Sequence, residues 1–192
     1  MTVIAALYDP DENVTWLGSN GRATIGSYVG PALDRKWRSF HGWAIGITGT
    51  GPKLEALEAN EQNFPKRAER PFEVLTFMKE AYGAFDIGEM EEGLKRYCGN
   101  GLLVHKSGAV WDFDNSFCLS PVAKGAFWTR GSGMDLALGA GFALKDHIHS
   151  PKALMKRVLE IVVANDVDSP GEILIQTFDH RGVLSDPLDV EV

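Results

Sequence analysis

At 192 residues, with 44% hydrophobic and 23% charged residues, the chain is long enough for one domain with a substantial core, and its composition excludes extensive disorder. A net charge of -7 argues against general affinity for nucleic acid or anionic membranes, because both require a basic face. The longest apolar stretches, such as LALGAGFAL, fall far short of the roughly 20 residues that cross a bilayer, and no basic segment precedes an apolar core at the N-terminus, so no membrane contact and a cytoplasmic location are expected.

The run TVIAALY over 2–8 is apolar and β-branched and predicts a strand that starts almost at the first residue. DPDEN supplies the proline and aspartates of a tight turn, and 14–18 predicts the second arm of a hairpin. After the glycine-bearing GSNGRATIGSYVG, the segment KWRSFHGWAIGITG predicts two short strands broken at His41 and Gly42. PKLEALEAN and PFEVLTFMKEAYGAF predict helices, each opening on a proline suited to a first turn; in the second, Phe72, Leu75, Phe77, Met78 and Tyr82 fall near one stripe. The polar EQNFPKRAER between them reads as a loop or helix break. GLLVHKSGAVWDF predicts a hairpin turning at Ser107 and Gly108, with further strands in NSFCLS and AFWTR. SGMDLALGAGFALKD and SPKALMKRVLEIVVAND predict two more helices, the second capped by Ser150 with Pro151 behind it. GEILIQTF predicts the last strand.

Strands and helix pairs in alternation predict antiparallel sheets covered by helices on their outer faces, an α+β arrangement in a single domain over 1–192. Cys98 and Cys118 match no metal-ligand spacing and read as buried free thiols. His147 and His149 in DHIHS lack an accompanying acidic or cysteine ligand set and read as solvated helix-end residues, so no metal is expected.

Thr2 has two readings. Inside a chain it is a β-former at a strand end; after removal of Met1 it would carry a hydroxyl and a free α-amine side by side, a nucleophile with its own base. TVIAAL, GSNGRATIGS, Lys36 in DRKW, IGITGTG, GSGMDLALGAGFAL and DVDSPGEILIQTF occur in this order over nearly the whole chain. In that combination the sequence resembles the proteasome β-subunit family of N-terminal nucleophile hydrolases, most closely its bacterial members, HslV and the diverged bacterial proteasome homologues. The resemblance implies a four-layer αββα sandwich of two antiparallel sheets between helix layers. It also implies a threonine-dependent endopeptidase subunit of a self-compartmentalised double ring, hexameric or heptameric, that degrades unfolded polypeptides without a metal or organic cofactor. An AAA+ ATPase is the implied partner.

Carried onto this sequence, the resemblance makes Thr2 the nucleophile and Lys36 the cation that lowers the pKa of the terminal amine, where Lys36 alone reads as a solvated strand-end lysine. Thr24, Thr48 and Gly49 fall where substrate backbone is held as an added strand, the Gly49 N–H being the oxyanion donor; otherwise Gly49 only starts the following helix. Ser132 matches the serine near the nucleophile and is also placed to be an N-cap. Asp166 and Ser169 match groups that hydrogen-bond around the terminal amine, and read equally as a polar turn. Asn20 is a departure: the family has an aspartate there, pairing with the lysine, and the amide keeps an acceptor but loses the charge. That departure motivates a rival reading, a non-catalytic ring subunit that keeps fold and assembly without turnover.

Overall fold

A computed structural model of the chain describes residues 2–21, 24–25, 28–29, 35–49, 52–91, 94–96, 99–166 and 171–190. The chain begins with β1 (Val3–Asp9), β2 (Val14–Asn20) and two short strands, β3 (Thr24–Ile25) and β4 (Tyr28–Val29). Then follow β5 (Trp37–Phe40), β6 (Trp43–Ile47), α1 (Lys53–Ala59) and α2 (Pro71–Ala84), with a single 3-10 turn, Glu61–Asn63, between the helices. The middle holds β7 (Glu89–Glu91), β8 (Leu94–Arg96), β9 (Gly101–His105), β10 (Val110–Phe113), β11 (Leu119–Val122) and β12 (Trp128–Gly131). The chain closes with α3 (Met134–Leu144), α4 (Pro151–Asn165), β13 (Ile173–Asp179) and β14 (Leu188–Val190).

The first hairpin forms because Asp9 organises its turn: Oδ1 accepts the N–H groups of Asp11 and Glu12 while Oδ2 takes the Trp16 indole N–H. β1 then lies between β2 and β12 in an antiparallel sheet of order β12-β1-β2-β13-β14. The second sheet has the order β11-β10-β9-β6-β5 and is also antiparallel.

Side-chain alternation divides the core into layers. Ile4, Ala6 and Leu17 from the first sheet meet Trp37, Ala44, Leu102 and Val104 from the second, filling the space between the sheets. Val3, Ala5 and Leu7 point the other way, onto Leu154, Met155, Val158, Leu159 and Val162 of α4. On the far side Trp43, Ile45 and Ile47 receive Leu54 and Leu57 of α1 and Val74, Phe77 and Met78 of α2. The result is the αββα sandwich. One residue ties its inner layers: Trp37 lies over Gly46, where a Cβ would come within 2.6 Å of the ring, and donates its indole N–H across to the Gly18 carbonyl at 3.2 Å.

Helix starts follow local chemistry. Pro71 opens α2 at its first position, and the Glu73 carboxylate reaches back to accept the N–H groups of Arg70 and Glu69, which holds it below the usual glutamate pKa. Ser150 caps α4, accepting the Ala153 N–H, with Pro151 behind it. At α1 the proline is one step earlier than expected: Pro52 is the cap residue, the helix begins at Lys53, and Gly49 does not start it. Nor is Ser132 an N-cap, since Gly133 takes that position in α3.

Other departures have simple causes. The strand expected in NSFCLS begins only at Leu119, because Asp114 Oδ1 collects the N–H groups of Ser116 and Cys118 into a turn. Pro121 is accommodated because β11 is an edge strand. Cys118 is exposed rather than buried, being part of that turn, and Cys98 lies outside the described residues. His147 and His149 are exposed after α3, as expected. Among the described residues no helix is long and apolar enough to cross a membrane.

Candidate active site

The head of β1 is enclosed. Thr2 is only 4% exposed, and alternation carries its side chain to the same inter-sheet face as Ile4 and Ala6. Its carbonyl accepts the Ser132 N–H at 3.0 Å, so Ser132 sits directly opposite Thr2, one step beyond the Val3–Gly131 pair. The approach is close enough to require glycine: Gly131 has a φ of 115, and a Cβ there would fall 1.7 Å from the Thr2 carbonyl oxygen.

On the other flank Asn20, fully buried at the end of β2, places Oδ1 2.9 Å from the Val3 nitrogen and accepts its N–H. A side chain thus continues the β1–β2 ladder at the residue next to Thr2. With Oδ1 facing that donor, the other end of the amide is a donor as well, where a carboxylate would offer a second acceptor.

Lys36 is 5% exposed, which departs from a solvated strand-end lysine. Its carbonyl accepts the Ile47 N–H at 3.2 Å, and it immediately precedes Trp37, the residue bonded to Gly18 two positions before Asn20. Lys36 is thus paired through its backbone to β6 and stands next to the tryptophan that reaches the strand ending in Asn20.

Beyond Ile47 the chain leaves β6 through Thr48 and Gly49. The Thr48 N–H and hydroxyl both donate to the Asn100 carbonyl, at 2.8 and 2.9 Å, which fixes the strand end. Gly49 then takes a φ of 95 in an exposed position. Thr24 lies in β3 opposite Val29. Asp166 is the half-buried C-cap of α4, the helix that packs on β1 and β2, and its N–H donates to the Val162 carbonyl at 2.7 Å. Ser169 lies outside the described residues.

Three buried or half-buried charges near these elements were not singled out from sequence. Lys53 is 3% exposed in the first turn of α1, its Nζ lying beside Gly99 together with the Thr48 carbonyl. Asp112 of β10 pairs with Arg130 of β12 across the gap between the sheets. A signal for the last two was present: both are charges at inward positions of alternating strands, WDF and WTR, where apolar residues are the rule.

No protein-family profile matches the chain, and no curated protein matches it. Solved structures do. Thiobacillus denitrificans BPH in complex with epoxomicin aligns with a TM-score of 0.72 at 13% identity, over 92% of this chain and 98% of that one. Another structure of Thiobacillus denitrificans BPH gives 0.70 at 15% identity, over 93% and 98%. The fold is that of the bacterial proteasome homologue. HslV from Trypanosoma brucei shares it as well, at a TM-score of 0.67 and 16% identity over 91% of this chain and 98% of the other. The likeness is one of fold, and the identities are too low to carry side-chain roles across.

Proposed function

We propose that the chain is a threonine-type endopeptidase subunit in which Thr2, freed by removal of Met1, is both nucleophile and base. The observation that carries this reading is the enclosure of Thr2: it heads β1, an interior strand of a proteasome-like sandwich, lies on the inter-sheet face and is fixed through its carbonyl by Ser132.

In the proposed reaction the Thr2 hydroxyl oxygen attacks the scissile carbonyl carbon and passes its proton to the α-amine, whose reference pKa of about 7.7–8.0 lets it act as a base near neutrality. Lys36 favours the neutral amine and the developing alkoxide. The exposed Gly49 N–H donates to the oxyanion, with Thr48 holding that loop through Asn100 and Thr24 extending the substrate as an added strand. The amine returns the proton to the leaving nitrogen, giving an ester on Thr2, and water then releases the acid. Ser132 stands beside the nucleophile, and Asp166 and Ser169 hold the terminal amine. Substrates are unfolded polypeptides delivered by an AAA+ ATPase to a homo-oligomeric double ring of six or seven subunits per ring.

One observation favours a second reading, a non-catalytic ring subunit: Asn20, whose oxygen faces the Val3 N–H, brings no charge to a lysine. Intact mass and a fluorogenic peptide assay separate the two. Loss of Met1 with Thr2-dependent cleavage supports the peptidase; loss of Met1 without cleavage supports the non-catalytic subunit.

A further inference from the structure

Within the mostly apolar layer between the sheets, Asp112 and Arg130 form an ion pair through Oδ1 and Nε, and the Trp128 indole N–H donates to Asp112 Oδ2 at 3.1 Å. The Asp112 side chain is 4% exposed and that of Arg130 is 25% exposed. Such a pair carries a desolvation cost that apolar side chains of similar volume would not. Its position suggests what it is retained for.

Register places the guanidinium. Ile4 is paired with Arg130, and the Ser132 N–H to Thr2 carbonyl bond continues that ladder, so Arg130 is the diagonal neighbour of Thr2, within reach of a long side chain. Ile4 lies in the packed layer between the sheets; paired residues share a face, as do residues two apart, so alternation puts Thr2 and Arg130 on that same face. Arg130 Nη1 approaches the Met134 sulfur at 3.8 Å, which directs the guanidinium forward along the chain past Ser132, toward the Thr2 end. Asp112 occupies the Nε edge. The Nη edge faces a thioether, a weak acceptor that a carboxylate readily replaces.

We propose that Arg130, held by Asp112, is a specificity-determining residue that selects polypeptides carrying a carboxylate side chain beside the bond placed at Thr2. This rests on the reading of Thr2 as the head of a peptide-binding cleft, and its test uses binding so that the two can fail separately. In Thr2→Ala protein, fluorescein-labelled peptides that differ only by Glu or Gln, scanned through their central positions, are compared by fluorescence anisotropy. At one position Glu binds about tenfold more tightly than Gln. Arg130→Met with Asp112→Asn, which keeps an acceptor for Trp128, reduces that preference to within about twofold while affinity for the Gln peptide is unchanged. Arg130→Lys with Asp112 intact keeps part of the preference. The absence of a Glu preference at every position, or a full preference in the double variant, overturns the proposal. A Glu preference in the Thr2→Ala protein, together with wild-type protein that has lost Met1 yet cuts no peptide, overturns the peptidase reading alone and supports Arg130 as the selecting residue.

Discussion

Position 20 places an amide inside the sandwich where a charge would need a counter-charge. Asn20→Asp gives the site a second acceptor able to take the Val3 N–H and a lysine ammonium together. A fully buried carboxylate without a cation is strongly destabilising, so the substitution also reports on Lys36. With Lys36 facing position 20, the melting temperature stays within about 4 °C, since about 1 kcal/mol moves a chain of this length by about 2–4 °C, while peptide turnover rises several-fold. A fall of more than about 10 °C, equivalent to several kcal/mol, would place Lys36 elsewhere. Calorimetry and a peptide assay on the two proteins give both readings.

Among the elements, β12 bears most directly on the site, because it closes against β1 at Gly131. Gly131→Ala combines a positive φ with a Cβ driven into the Thr2 carbonyl, and costs about 2–6 kcal/mol by the usual scale of backbone strain and overpacking. Denaturant unfolding checks this, and any surviving folded protein is expected to lose cleavage with the displaced Thr2. The β9–β10 hairpin supplies a pH-dependent prediction. His105 packs at a tilt against Trp43 with ring centroids 4.8 Å apart, and burial holds its pKa below the ordinary 6.5, with Glu69 opposing the lowering and Lys106 adding to it. The folded state therefore prefers the neutral ring, and stability present above 6.5 is lost as pH falls through the lower folded value. Melting curves taken from about pH 8 to about pH 5 should show wild type losing stability relative to His105→Gln; parallel curves would contradict the shift.

The same elements show how much of the architecture was legible in sequence. β1, β2, β9, β10 and β13 announce themselves by apolar runs and turn residues, and α2 and α4 by a stripe and an opening proline. β3, β4, β7, β8 and β14 are two or three residues long, too short to display a period of two, and exist because a partner strand pairs with them. The site divides in the same way. Thr2, Lys36 and Gly49 enter the proposed site through an ordered set of motifs. Asp112 and Arg130 show in sequence only as two inward charges; their pairing does not, because they stand 18 residues apart on different sheets and meet only when the two sheets stack.

For the whole molecule, the proposed double ring predicts a mass in solution many times that of one chain, because heterologous contacts that close into a ring leave no stable small intermediate favoured. Light scattering across micromolar concentrations checks this, and a monomer throughout would remove the ring from the account.

If Thr2 acts as nucleophile with its own amine as base, an epoxyketone peptide will capture it, since that warhead engages hydroxyl and amine together. Intact mass spectrometry of the purified protein should show Met1 absent and one inhibitor added per chain, with the adduct mapped to Thr2, lost in Thr2→Ala and formed at least about 100-fold more slowly in Lys36→Ala. Protein that lacks Met1 yet takes up no inhibitor, or takes it up away from Thr2, would contradict the account.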